Sequence, residues 1–151
     1  MSTLEERLHD DLTESIRARD EVRSATLRMA LTAAKNEAVS GTEARELSDA
    51  EVVTVLGREA KKRREAATAY DAAARPELAA RERAELEVIE GYLPAQLDDT
   101  ELAELVATAI VETGADSPKA MGQVMKVLTP RVAGRADGGR VAAAVKAALA
   151  G

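Results

Sequence analysis

Basic side chains outnumber acidic ones near the end of the sequence, around two glycine-containing segments. These segments read Met121-Gly122-Gln123-Val124-Met125 and Gly134-Arg135-Ala136-Asp137-Gly138. From Pro118 onward there are six Lys or Arg residues and one acid, Asp137. Because Lys and Arg bind phosphates by neutralising their charge, this pattern predicts contacts to a phosphate backbone. The candidate contacts are Lys119, Lys126, Arg131, Arg135 and Arg140.

The loop around Arg135 is open to two interpretations. Asp137 is placed to cap a last helix, and a helix N-terminus beside a guanidinium can bind a phosphate. Alternatively, Gly134 only turns the chain and Arg135 pairs with an acid of the preceding acidic segment, which contains no base. The acids of that segment are Asp98, Asp99, Glu101, Glu104, Glu112 and Asp116.

Other residues that stand out are expected to have structural roles. Met121 and Met125 have the spacing of core-filling residues, although methionines can also form a partner-binding face. Gly122 inside a helix costs about 1 kcal/mol relative to Ala, so a close backbone approach is expected there. Tyr92 is expected to anchor the two parts of the chain to each other, and a ligand contact is the alternative. His9 lies on a charged helix and is expected to be exposed.

A second basic cluster consists of Arg58 and the run from Lys61 to Arg64. The run spans more than half of a helix circumference, so its members cannot all face a core. Such runs usually form a solvated face, and phosphate contact is the alternative.

Composition argues against most catalytic and metal chemistry. The chain has no Cys and one His, which leaves no thiolate nucleophile and no multi-histidine metal site. It has neither a nucleophile elbow nor a Ser-x-x-Lys motif, and the segment from 134 to 139 lacks the Lys-Ser/Thr ending of a P-loop. No cofactor, metal or catalytic residue is therefore predicted. The absence of Phe and Trp also argues against base stacking as a binding mode.

Helix signals predict an all-α fold. In the first ninety residues they predict four long antiparallel helices. The first helix has capping-box spacing at Thr3 and Glu6, followed by a stripe of Leu4, Leu8, Leu12 and Ile16. Asp20 can cap the second helix, and a capping box at Ser48 and Glu51 begins the third. Pro76 fits the first turn of the fourth helix, in which Leu78 is expected to face inward.

Pro94 interrupts the helical pattern and places a domain boundary between residues 1–93 and 94–151. The second part is predicted to be a small three-helix domain. Asp98 and Glu101 have the spacing of a capping box that begins the fifth helix, and Thr113-Gly114 ends it. Ser117-Pro118 begins the sixth helix, Pro130 ends it, and Asp137 caps the seventh.

The N-terminal twenty residues are charged throughout and contain no apolar signal region. No apolar run approaches the roughly 18 residues of a spanning helix. A soluble cytoplasmic protein without a membrane partner is therefore expected. The net charge of −6 by itself argues against nucleic acid, in contrast to the local excess of bases near the C-terminus.

Several motifs together resemble the YqeY family, which is related to the C-terminal tail of the B subunit of glutamyl/aspartyl-tRNA amidotransferase. The resemblance covers essentially the whole chain. It is carried by Leu27-Arg28-Met29 with Ala34-Lys35-Asn36, by Ile89 to Leu97, by Met121 to Met125 and by Gly134 to Gly138.

The resemblance implies an all-helical protein in two parts, with the second part similar to the amidotransferase tail. That tail is associated with tRNA binding, whereas glutamine hydrolysis and transamidation occur in other domains and subunits. The resulting hypothesis is a non-catalytic tRNA-binding or accessory module. Carbon–nitrogen ligase activity with glutamine as amido-N-donor is implied only through the shared region. The alternative is a protein-interaction or assembly factor that binds a protein partner without RNA.

Overall fold

The computed structural model describes residues 1–150, which form seven α-helices and one short 3₁₀-helix. The helices are α1 Thr3–Arg17, α2 Glu21–Ala38, α3 Asp49–Ala72, α4 Pro76–Glu90, α5 Asp99–Thr113, α6 Met121–Val132 and α7 Gly138–Ala150. The 3₁₀-helix, Pro118–Ala120, leads directly into α6. No strand occurs in residues 1–150, so the predicted all-α fold class is confirmed.

Contacts divide the chain into two compact units, of which the first is Met1–Leu93 and the second begins at Pro94. In the first unit α3 packs on α4, α1 packs on α2, and α2 also contacts α3 and α4. The core is aliphatic and includes Leu8, Leu27, Leu47, Val52, Leu56 and Ile89. Alanines such as Ala30, Ala34 and Ala60 are fully buried, which allows the helices to approach closely.

The second unit has a core of its own, in which α5, α6 and α7 contact one another. Each helix contributes residues at helical spacing, as an amphipathic helix does when one face is buried. The largest contributors are Leu102, Val106, Val124, Leu128, Val132, Val141, Val145 and Leu149.

Side-chain caps begin four helices where the sequence predicts them. Two are complete capping boxes, Ser48 with Glu51 and Asp98 with Glu101. Asp20 accepts a hydrogen bond from the Arg23 amide at 3.1 Å. At the last helix, the Asp137 carboxylate accepts from the Gly139 amide at 2.7 Å. Because these bonds are local, sequence spacing alone is sufficient to locate them.

Two predicted helix ends are wrong. The cap of α1 is Ser2, whose hydroxyl accepts from the Glu5 amide at 3.3 Å, and Thr3 is already helical. Pro130 does not end α6, which continues to Val132. Val132 is 4% exposed, and we attribute the continuation to its burial in the core, which offsets the hydrogen bond that Pro130 cannot donate.

Two residues predicted to face inward are exposed. Ile16 is 48% exposed at the end of α1, and Leu78 is 40% exposed in the first turn of α4. Both lie at helix ends, where fewer neighbouring helices are available to cover an apolar side chain. Leu8, in the middle of the α1 stripe, is buried as predicted.

Candidate nucleic-acid interface

Two of the five candidate cations are bound by acids of α5. Arg131 Nη2 donates to Glu112 Oε2 at 2.6 Å, and this contact raises the pKa of the guanidinium above its usual value. Arg140 donates to Asp99 Oδ1 and to the Leu97 carbonyl, both at 2.7 Å. These two side chains are therefore partly neutralised within their own unit and are weaker candidates for phosphate contacts.

Arg135 is held by backbone rather than by an acid. Its Nε donates to the Ala95 carbonyl at 3.2 Å. The loop that carries Arg135 is tied to the segment before α5, because the Leu97 amide donates to the Arg135 carbonyl at 2.8 Å. In addition, Gln96 Nε2 donates to the Gly134 carbonyl at 2.8 Å. The sequence predicted an acid partner or a phosphate for Arg135, whereas the structure shows a loop closed by main-chain hydrogen bonds.

Lys119 and Lys126 differ from the three arginines. Both are exposed, and within residues 1–150 neither makes a hydrogen bond or an ion pair. They are seven residues apart, so they lie two helical turns apart on one side of the 3₁₀-helix and α6. Gly122 and Gln123 are exposed between them. We call these four residues, Lys119, Gly122, Gln123 and Lys126, the α6 outer face; no acid occurs between Pro118 and Val132.

Gly122 is not required by packing within its own unit. A Cβ atom built at this position would meet no atom within 4 Å, so the expected close approach to another part of the chain is wrong. Met121 and Met125 do pack against the core of the second unit, as predicted. The glycine thus leaves the helix backbone uncovered on the α6 outer face, at a cost to helix stability of up to about 1 kcal/mol relative to Ala.

The basic cluster of the first unit is largely paired with acids. Arg63 is only 4% exposed, so the predicted solvated face is wrong for this residue. Its Nη1 lies 3.3 Å from Glu59 Oε1, and its Nε lies 3.7 Å from Glu85 Oε1. Other members of the cluster form ion pairs as well, Arg58 with Glu37, Lys62 with Glu59 and Arg64 with Glu90.

Tyr92 follows α4 and contacts side chains of α1 and α2 in the first unit. It is 7% exposed, its hydroxyl donates to Asp11 Oδ2 at 2.5 Å, and Arg23 Nη2 donates to the same hydroxyl at 3.1 Å. The Arg7 guanidinium lies 4.6 Å from the centre of the ring. Burial, with a further contribution from the Asp11 hydrogen bond, raises the pKa of Tyr92 to about 12. The sequence predicted an anchor between the two parts, whereas these hydrogen bonds are internal to the first.

The described part of the chain shows no grouping of three or more His, Cys, Asp or Glu side chains that could hold a metal ion. No helix in residues 1–150 combines the length and the apolar character needed to cross a membrane. His9 is exposed, as predicted.

Comparison with known proteins agrees with the motif-based resemblance. The family model described as Yqey-like protein matches residues 5–149, which include the α6 outer face and both helical units. No curated protein is similar enough to the chain to count as a match. Since the family match extends over nearly the whole sequence, the chain belongs to the YqeY-like protein family.

Proposed function

We propose that this protein is a non-catalytic accessory module that binds tRNA, and that the α6 outer face contacts the phosphate backbone. The observation that carries the proposal is the arrangement of this face. Gly122 is uncovered between Lys119 and Lys126, and no carboxylate shares the helix with them. The resemblance of this family to the tRNA-associated tail of the amidotransferase supports tRNA as the nucleic acid.

The physical chemistry of this face suits phosphate better than base recognition. An uncovered backbone lets a sugar-phosphate chain approach the helix closely, and each lysine ammonium acts as a point charge beside it. The N-terminal end of α6 also carries the positive end of the helix dipole, and no side chain caps it. No aromatic side chain is present on the face, so binding is expected to depend on charge rather than on base identity.

The test is a salt titration of tRNA binding to the full chain and to the double variant Lys119→Gln/Lys126→Gln. Each phosphate contact contributes about −0.7 to −0.9 to the log–log slope, so loss of two contacts should flatten the slope by about 1.4 to 1.8. The matched control is Lys146→Gln, because Lys146 is also exposed and makes no ion pair within residues 1–150. Equal slopes for the double variant and the control would refute the proposal.

As a second candidate, we propose a protein-interaction function that uses the groove between α5 and α7. This groove encloses about 490 Å³ and is lined mainly by apolar side chains, among them Leu102, Val106, Ala144 and Ala147. From Pro94 onward the chain carries seven acids and six bases, a balance that suits a protein partner better than RNA.

The variant Ala147→Glu separates the two functions, because Ala147 is exposed in the groove and is not part of the α6 outer face. If the groove binds a protein, this variant should lose a partner that co-purifies stoichiometrically with the wild type from gentle lysates, and should retain tRNA binding. Retention of that partner by Ala147→Glu would exclude the groove. For the purified chain we expect no glutamine-dependent release of ammonia.

A further inference from the structure

An open pocket of about 330 Å³ lies between α2 and α3 in the first unit, and Met29 and Ala33 form the apolar part of its lining. Arg28, Thr32 and Asn36 line it from α2, and Lys62 and Glu59 line it from α3. The three α2 residues are spaced by four, so they form a row along one face of the helix. The pocket therefore brings a guanidinium, a hydroxyl, an amide, an ammonium group and the Glu59 carboxylate to one opening.

The row on α2 has no partner within its own chain. Arg28, Thr32 and Asn36 are exposed, and their side chains make no hydrogen bond or ion pair within residues 1–150. Neighbouring residues of the same types behave differently. Thr26 donates to the Val22 carbonyl at 2.7 Å, and Arg58 binds Glu37 at 3.0 Å. The donors of the row are thus available to a ligand.

Positive charge dominates around the pocket despite the presence of Glu59. This carboxylate is 8% exposed and is bound by two cations, at 3.0 Å by Lys62 Nζ and at 3.3 Å by Arg63 Nη1. Arg63 is itself buried beside the pocket, where its Nη2 lies 3.5 Å from Met29 Sδ. Its Nε makes no hydrogen bond and lies 3.7 Å from Glu85 Oε1, so the charge of Arg63 is balanced by Glu59 and Glu85. Among the lining residues themselves, Arg28 and Lys62 are the bases and Glu59 is the acid, so the lining carries a net positive charge.

We propose that this pocket binds a small phosphate monoester. The planar guanidinium of Arg28 can donate two parallel hydrogen bonds to phosphate oxygens. Lys62 is partly neutralised by Glu59, 3.0 Å away, and adds a weaker second cation. Thr32 and Asn36 add neutral donors for the remaining oxygens. The volume lies at the small end of the range for ligand pockets, which suits a compact phosphate ester. The proposal is independent of tRNA binding, because none of these residues belongs to the α6 outer face.

The experiment is calorimetric titration of the full chain with inorganic phosphate, with glycerol 3-phosphate and, separately, with acetate. We expect both phosphates to bind more tightly than acetate. Arg28→Gln should weaken phosphate binding roughly tenfold or more, the effect of losing a charge-assisted hydrogen bond. It should leave the circular dichroism spectrum unchanged, because Arg28 has no partner in the described chain.

The matched control is Lys35→Gln, which removes an exposed cation from the same helix outside the pocket. Phosphate binding should be unchanged in this control and in Lys119→Gln/Lys126→Gln. Three results would each overturn the proposal. These are no measurable phosphate binding, acetate binding as tight as phosphate binding, and an equal loss of affinity in Arg28→Gln and Lys35→Gln.

Discussion

Tyr92 shows how a single side chain can report on the packing of the first unit. Its phenol is buried between Asp11 and Arg23, and its pKa is raised to about 12. Since an unfolded tyrosine titrates near pH 10, the folded state favours the protonated phenol. The stability from this preference is fully present below about pH 10 and is lost as the pH rises towards 12.

This titration can be observed directly in the variant Tyr70→Phe, in which Tyr92 is the remaining tyrosine. Tyrosinate absorbance should appear near pH 12 in the folded protein and near pH 10 in denaturant. Adding Asp11→Asn should lower the folded value only in part, because burial makes the larger contribution. A folded titration near pH 10 would contradict the packing described for Tyr92.

Arg63 is the charged residue whose loss should matter most for stability. Replacing it by Met would remove the cation that Glu59 and Glu85, both 8% exposed, share, and would leave Lys62 beside Glu59 and Arg81 beside Glu85. We expect Arg63→Met to lower the free energy of unfolding by about 1–3 kcal/mol, measured by urea denaturation. Arg64→Met is the control, because its partner Glu90 lies 3.9 Å away in a half-exposed pair worth about 0–1 kcal/mol. Similar losses in both variants would refute the role assigned to Arg63.

At the residue scale, sequence reasoning correctly predicts that His9 is exposed and that Met121 and Met125 fill a core. It does not predict that Arg63 is buried, because one of the carboxylates that pair with its charge, Glu85, lies on another helix. It also could not determine which candidate cations are paired. Arg131 and Arg140 find their acids only when α5 packs against α6 and α7.

At the element scale, replacement by Ala is expected to have opposite effects on stability at two glycines, one inside a helix and one at a helix end. Gly57 lies inside α3, and an added Cβ would meet no atom within 4 Å. Gly114 ends α5 with a φ angle of +69°, a conformation that disfavours side chains. Gly57→Ala should therefore raise the free energy of unfolding by up to about 1 kcal/mol, and Gly114→Ala should lower it by about 1 kcal/mol. Chemical denaturation of both variants tests this, and a shift of the same sign in both would contradict the assignment.

Helix starts could be predicted from sequence better than helix ends. A cap depends on residues three positions apart, as at Ser48 and Asp98, so the spacing alone identifies it. At α1 two adjacent hydroxyl residues have the same spacing to a glutamate, and the structure places the cap at Ser2. The end of α6 could not be predicted, because the burial of Val132 is set by tertiary packing.

At the scale of the whole molecule, each of the two units has a separate core. We expect fragments 1–93 and 94–151 to fold independently, as the position of Pro94 predicts. Their NMR amide spectra should then superimpose on that of the full chain, apart from residues near the junction. A fragment that lacks dispersed amide signals would show that its core is insufficient alone and would contradict independent folding.

Net charge is a poor guide to the surface of this chain. The overall balance of −6 conceals a C-terminal excess of bases, and part of that excess is in turn bound by α5 acids. What remains on the α6 outer face is two lysines and an uncovered glycine. The sequence identified the two lysines among five candidates. It could not show that the glycine faces outward, because that requires knowing which side of α6 is buried.

The tRNA affinity of Gly122→Leu tests whether a phosphate backbone contacts the α6 outer face. Leu favours helix over Gly, so this variant should be at least as stable as the wild type, and urea denaturation of the variant distinguishes misfolding from loss of a contact. If a phosphate backbone approaches the α6 outer face at Gly122, the leucine side chain should block that approach and weaken binding, whereas Gly57→Ala should bind tRNA as the wild type does. Unchanged tRNA affinity in a folded Gly122→Leu would contradict the account.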